Sequence, residues 1–205
     1  MSRMLQVLLV VTLAAAPATT TALAQTAPET STGDYTPADV AFMSGMIYHH
    51  AQALLISSWA KSHGASPDVQ VLCDRIIRGQ SDEIAILSQW LADRHEAVPH
   101  PEPEHMRHAM GGHMMPGMLT AGQLAQLDSA RGEAFDELFL RFMIQHHEGA
   151  ITMVNDLFAR GAGEENPVYK IASGVFADQT TEIERMQRML AAMMFGPVPA
   201  TTNPR

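Results

Sequence analysis

Apolar residues recur along this chain at helical spacing, and stretches with the strict alternation of a strand are nearly missing. Thr36-Pro37-Ala38-Asp39 supplies an N-cap threonine, a proline at the first helical position and an acid in the first turn. It predicts a helix from there to about His63, stopped by Gly64. Ser66-Pro67-Asp68 repeats the signal and opens a second helix that reaches about Arg94. Thr120 to Gln123 reads as a capping box before a short helix. A third long helix covers roughly Glu133 to Arg160 and ends at Gly161. Asn166-Pro167 starts a fourth, which Gly196-Pro197 closes.

The first and third long helices match at one constant offset. Asp39, Phe42, Met46, Ile47, His49, His50 and Ala53 correspond to Asp136, Phe139, Met143, Ile144, His146, His147 and Ala150. Further on, Gln80 to Ile84 (QSDEI) matches Gln179 to Ile183 (QTTEI). The chain therefore reads as two repeated helical hairpins, 36–94 and 120–196, joined by a crossover at 95–119. Neither hairpin buries both of its apolar stripes alone. Packed together they predict an all-α, antiparallel four-helix bundle with approximate internal two-fold symmetry, one domain over 36–196.

The ends differ from this pattern. Residues 1–24 carry Arg3, an apolar run from Leu5 to Ala16 and a small-x-small Ala22-Leu23-Ala24, the form of a cleaved export signal. The run is too short to span a bilayer comfortably, and no other hydrophobic run reaches membrane length. The expected location is periplasmic or secreted, with cleavage after Ala24. Residues 25–35 and 197–205 are rich in Thr, Pro and Gly and are expected to be disordered tails.

The net charge is −9, and removing Arg3 with the signal makes it −10. That balance excludes a polyanion such as nucleic acid as partner. Cys73 is the only cysteine, so no internal disulfide forms. Its apolar surroundings predict a buried, inert thiol. The compositional oddity is 10 His and 15 Met. The crossover holds His95, His100, His105, His108 and His113 together with Met106, Met110, Met114, Met115 and Met118.

Adjacent residues on a helix point about 100° apart, so two neighbouring histidines do not chelate one ion together. Each pair instead has a methionine one turn before it: Met46 precedes His50 by four residues, and Met143 precedes His147 by four. A metal-free alternative is a hydrogen-bonded histidine layer that sets register between the hairpins. The ligand reading points to copper. Imidazole suits several transition metals, whereas thioether sulfur selects soft ions, above all Cu(I), with Ag(I) as its mimic. Thioethers also survive outside the cytoplasm, where thiols are oxidised. His105, Met106, His108, Met110, His113, Met114, Met115 and Met118 form a secondary, loop-borne set of donors.

A ferritin-type di-iron redox centre is the rival on such a bundle. It requires Glu-x-x-His from two helices. The residues three before His49, His50, His146 and His147 are Met46, Ile47, Met143 and Ile144, so that spacing is missing. Glu83 and Glu182 recur at matched sites and Glu148 follows His147; these carboxylates are too few for that centre and read either as helix-flank charge or as outer support for the histidine rings. Gln80 and Gln179 are placed to support ring N–H groups from outside the ligand shell. No nucleophile elbow, H-E-x-x-H or phosphate loop is present.

With these residues in hand, the chain resembles the domain of unknown function 305 family, which includes CopM-type periplasmic copper-binding proteins. The carriers are DVAFMSGMIYHHAQAL (Asp39 to Leu54), MMPGM (Met114 to Met118), FDELFLRFMIQHHEGAITM (Phe135 to Met153) and QTTEIERMQRML (Gln179 to Leu190). The resemblance implies a ferritin-like four-helix bundle that binds Cu(I), Ag(I) or Cu(II). It implies the ligands Met43, Met46, His49, His50, Met143, His146 and His147, with Met186 and Met189 as additions. The first copy departs from the HHEGA form by reading HHAQA, with Ala51 and Gln52. The expectation is an exported copper buffer or carrier, not a catalyst, whose partners are metal ions and other copper-handling proteins. A metal-dependent redox enzyme and a metal-free structural module stand as alternatives.

Overall fold

A computed structural model describes residues 35–101 and 114–196. Residues 1–24, read as an export signal, residues 25–34 and 197–205 of the expected tails, and His105, Met106, His108, Met110 and His113 of the crossover lie outside the described residues. Tyr35, read as tail, is described and packs edge-on against Trp90. Five helices follow one another: α1 (Pro37–Ser58), α2 (Pro67–Asp93), α3 (Ala121–Ser129), α4 (Glu133–Ala159) and α5 (Asn166–Phe195). Among the described residues there is no strand. The long helices α1 and α2 form one antiparallel hairpin, α4 and α5 the other, and α1 lies against α4, giving a ferritin-like four-helix bundle with α3 packed on α4.

Local chemistry sets the helix starts. Thr36 accepts from Asp39 N at 3.2 Å while Asp39 Oδ2 accepts from Thr36 N at 2.7 Å, a reciprocal capping box. The same device opens α3 through Thr120 and Gln123. The first helix ends five residues earlier than the sequence pattern suggests. Past Ser58 the backbone tightens to i→i−3 bonds, and the turn closes with Ala65 N on Ala60 O at 2.9 Å around Gly64, whose φ is +70°. The second hairpin repeats this closure, with Ala162 N on Leu157 O after Gly161.

Two reciprocal bonds tie the hairpins together. Asp39 Oδ1 accepts from Gly163 N at 2.7 Å, and Asp136 accepts from Ser66 N at 3.1 and 3.2 Å. Asp39 and Asp136 are repeat partners, as are Ser66 and Gly163, so one contact occurs twice about the internal two-fold. Both carboxylates are buried.

The apolar core is divided in two. One cluster joins Ala53, Ile56, Val69, Leu72, Ile76, Phe139 and Met143 with Met186; the other joins Phe42, Met46, Leu87, Leu91, Ala150, Val154 and Val168 with Val175. The two are repeat images: Met143 and Met46, Val69 and Val168, Ile76 and Val175. Cys73 is buried in the first cluster, and burial pushes its thiol up to about 12, so it stays protonated.

Residues 114–120, the end of the crossover, form a strap across α1 and α4. Gln52 clamps it from both sides, accepting from Leu119 N at 2.7 Å and donating to Leu119 O at 3.1 Å. Gln145 donates to Gly117 O at 3.2 Å. Gly149 permits the close approach, because a Cβ there would fall 2.0 Å from Pro116 O. The departure HHAQA thus has a structural reason: positions 52 and 149 are repeat partners, one gripping the strap and the other making room for it. With α2, α4 and the strap around it, α1 has only Pro37, Ala41 and Ser58 exposed.

Gly149→Ala is expected to destabilise the protein by about 1–3 kcal/mol through overpacking, although alanine in an open helix gains about 1 kcal/mol over glycine. Gly79→Ala, where an added Cβ meets nothing within 4 Å, supplies the opposite sign as control in urea titrations. Asp39→Ala or Asp136→Ala should each cost about 1.5–3 kcal/mol, read from the same midpoints, because each removes a charge-assisted bond between hairpins.

Candidate metal centre

Between the two apolar clusters all four long helices turn polar at one level. On α1 the cluster residues stop at Ile47 and resume at Ala53, with His49 and His50 between them. On α4 they break between Met143 and Ala150, around His146 and His147. On α2 they break between Ile76 and Leu87, around Gln80 and Glu83. On α5 they break between Val175 and Ile183, around Gln179 and Glu182. The four histidines are 0% exposed and the two glutamines 2%.

The rings of His49 and His146 meet at the centre with centroids 3.9 Å apart. On the strap side His49 Nε2 lies 3.0 Å from Pro116 O. A carbonyl only accepts, so Nε2 carries the proton and Nδ1 presents a bare lone pair. On the side of α2 and α5 the two outer rings face carboxylates. His147 Nε2 lies 2.7 Å from Glu182 Oε2 in a hydrogen bond. His50 Nε2 lies 2.6 Å from Glu83 Oε2, close but off the line of a good bond, so both atoms are also without an aligned partner. Three rings therefore have Nε2 turned to an oxygen acceptor, while their Nδ1 atoms are buried and unpartnered; His146 has neither nitrogen partnered.

Eleven buried side-chain atoms lack a hydrogen-bond partner among the described residues, and all but Ser57 Oγ belong to this layer. Each such atom costs about 1–3 kcal/mol in a dry interior, so their concentration at one level marks a place built to bind something. Burial, with the neighbouring His50 charge second, pushes His49 down to about 3, and burial pushes His146 well below its ordinary value. Both are neutral, the state in which imidazole is a ligand.

Of the methionines, Met43 and Met46 are buried in one apolar cluster, and Met143 and Met186 in the other, flanking the layer from opposite ends. Met186 corresponds to Leu87 and Met43 to Leu140, so sulfur is unevenly placed about the two-fold. Met189 is partly buried against the Met186 cluster. Met118 is buried in the strap, Met114 is exposed and Met115 is half-buried, its Sδ beside Gly45.

Glu148 corrects the sequence reading: it is exposed and takes no part in the buried layer, because it lies 100° round α4 from His147. Glu83 and Glu182, by contrast, reach the outer rings directly. Among the described residues no three His, Cys, Asp or Glu side chains gather as a ready-made metal shell, so a metal held here would need thioether donors as well. The donor set present, neutral Nδ1 lone pairs flanked by thioethers, fits a soft ion. The Nε2 bonds to oxygen are the usual outer support of metal-bound imidazole.

No helix among the described residues is long and apolar enough to cross a membrane. Comparison with curated proteins gives no match. Among solved structures, a DUF305 fragment from Deinococcus radiodurans is 28% identical with a TM-score of 0.65, covering 77% of this chain and 97% of that one. CopM in its Cu(II)-bound form is 26% identical with a TM-score of 0.60, over 74% of this chain and 95% of that one. CopM in an Ag-bound form is 25% identical with a TM-score of 0.56, over 74% and 93%. Residues 39–190, which span all four long helices and the histidine layer, match the family described as a domain of unknown function, DUF305, and the chain belongs to that family.

Proposed function

We propose that this protein is an exported binder of Cu(I) and Ag(I), a buffer or carrier in copper tolerance. The carrying observation is the layer in which His49, His50 and His147 keep Nδ1 atoms that are buried and unpartnered among the described residues while their Nε2 atoms face oxygen. Met46 and Met143, one turn before His50 and His147, are the nearest thioethers along the helices, with Met43 and Met186 as further sulfur donors. A thioether is neutral and needs no deprotonation, so a Met/His shell leaves a monovalent cation with its charge intact in an apolar setting. Glu83 and Glu182 hold the outer rings and balance that charge. The Cu(II)- and Ag-bound forms of CopM support this choice of metal, and the N-terminal signal pattern supports export.

The crossover supplies a second, weaker class of site through His105, Met106, His108, Met110, His113 and Met114. Because Met115 and Met118 sit in the docked strap, they connect this loop to the layer. Ions pass between the two by exchange of labile thioether ligands. Other copper-handling proteins are the partners such a carrier implies.

Titrating the reduced mature protein with Cu(I) against a competing chelator tests the reading. His50→Ala with His147→Ala should abolish the tighter sites, and Glu83→Gln with Glu182→Gln should weaken them about 10- to 100-fold by freeing the rings. Deleting 105–113, which spares the strap, should remove only the weaker class. Unchanged stoichiometry and affinity in all three variants would refute the ligand assignment.

The metal-free protein should also lose stability on acidification. Below the ordinary histidine value of 6.5 the unfolded chain takes up protons that His49 refuses until about pH 3. Stability is complete above 6.5 and falls through that window, by about 1.4 kcal/mol per pH unit for each such group. Urea midpoints measured across the window should fall less steeply in His49→Gln.

A further inference from the structure

A groove of about 270 Å³ opens between α2 and α5 on the outer side of the histidine layer. Its walls carry Gln80 and Glu83 from α2, and Asp178, Gln179 and Glu182 from α5. Gln80 and Gln179 stand three residues before Glu83 and Glu182, so each helix presents an amide and a carboxylate on one face, and the two sets are repeat images. Among the described residues none of the three carboxylates makes an ion pair with Lys or Arg. Arg75 and Arg78 line the mouth and, like Asp178, are exposed; their two charges against three carboxylates leave the groove one negative charge in excess. The carboxylates feel one another: burial, then Glu83 and Glu182, raise the acid of Asp178. The amides stand at the level of the histidine layer and also line the groove, and they add a second observation to the carboxylates. Gln80 is 98% buried with both Nε2 and Oε1 unpartnered, and Gln179 is equally buried with Oε1 unpartnered.

The geometry points to this groove as a second, oxygen-donor cation site, distinct in chemistry from the sulfur and Nδ1 donors of the layer, that takes a hard divalent ion through Glu83, Glu182, Asp178 and the amide oxygens of Gln80 and Gln179. Carboxylate and carbonyl oxygens with water suit Ca(II), Mn(II) and Mg(II), and disfavour Cu(I). Three carboxylates alone are not gathered into a shell, and the two buried amide oxygens supply what is missing. The oxygen atoms that Glu83 and Glu182 do not turn toward His50 and His147 are the ones available to the ion. The site therefore needs no change of tautomer in the layer. It also stands whether or not the layer binds copper.

Mn(II) is the probe. Binding to the metal-free mature protein is followed by loss of the free-ion paramagnetic signal, and crystals soaked in Mn(II) are examined for an anomalous peak. The expected result is a peak between Glu83 and Glu182, with Mn(II) affinity reduced at least tenfold in Asp178→Asn and in Gln80→Leu. Cu(I) affinity should stay within threefold in Asp178→Asn, which touches neither histidine. Wild-type Mn(II) affinity in both variants, an anomalous peak only at histidines of the crossover, or no Mn(II) binding at all would each overturn the site. The soaked wild-type crystal keeps the question decidable if a variant does not fold. Loss of Cu(I) binding with the Mn(II) peak intact would count against the copper reading alone.

Discussion

The register of α1 against α4 governs everything else in this molecule, and two buried carboxylates set it. Asp39 and Asp136 each hold a backbone N–H in the turn of the opposite hairpin. Each lies ten residues before the first histidine of its helix, so fixing both ends of an antiparallel pair brings His49 and His146 face to face at the midpoint. A slip by one turn would carry the rings past each other into the apolar clusters. It would also place Met46 and Met143 at the level that the histidines now hold.

Interrupting a core with a polar layer is destabilising unless the layer is satisfied. Here the two apolar clusters on either side are complete in themselves, each drawing on all four long helices. Burial in them holds the fold together while the level between them carries unpartnered nitrogen and oxygen. The arrangement separates two tasks by height along the bundle. Packing at the ends provides stability, and the middle is free for chemistry.

Much of this architecture was legible in the sequence, and the parts that were not share one cause. Caps and glycines marked the helices because they act within one turn; α1 was read too long because Trp59 and Ala60 continue its apolar period while the backbone bonds have already tightened. The repeat exposed the histidine pairs and matched Asp39 with Asp136, yet assigned the aspartates no role, since their partners lie in another hairpin. Glu83 and Glu182 were left between helix-flank charge and outer support for the same reason: contact with His50 and His147 exists only once α2 and α5 are packed. Glu148, adjacent in sequence, faces away. Gln52 stands where the second copy has Gly149, and it is a clamp on a strap that periodicity cannot reveal.

Duplication alone would give a molecule with two interchangeable faces. The strap removes that equivalence, because one segment binds where Gln52 grips and Gly149 yields, and among the described residues no second copy matches it. His49 consequently looks toward a carbonyl of the strap, whereas its twin His146 has no strap carbonyl to face. The protein thereby acquires a front and a back, and the inherited symmetry survives only in its skeleton.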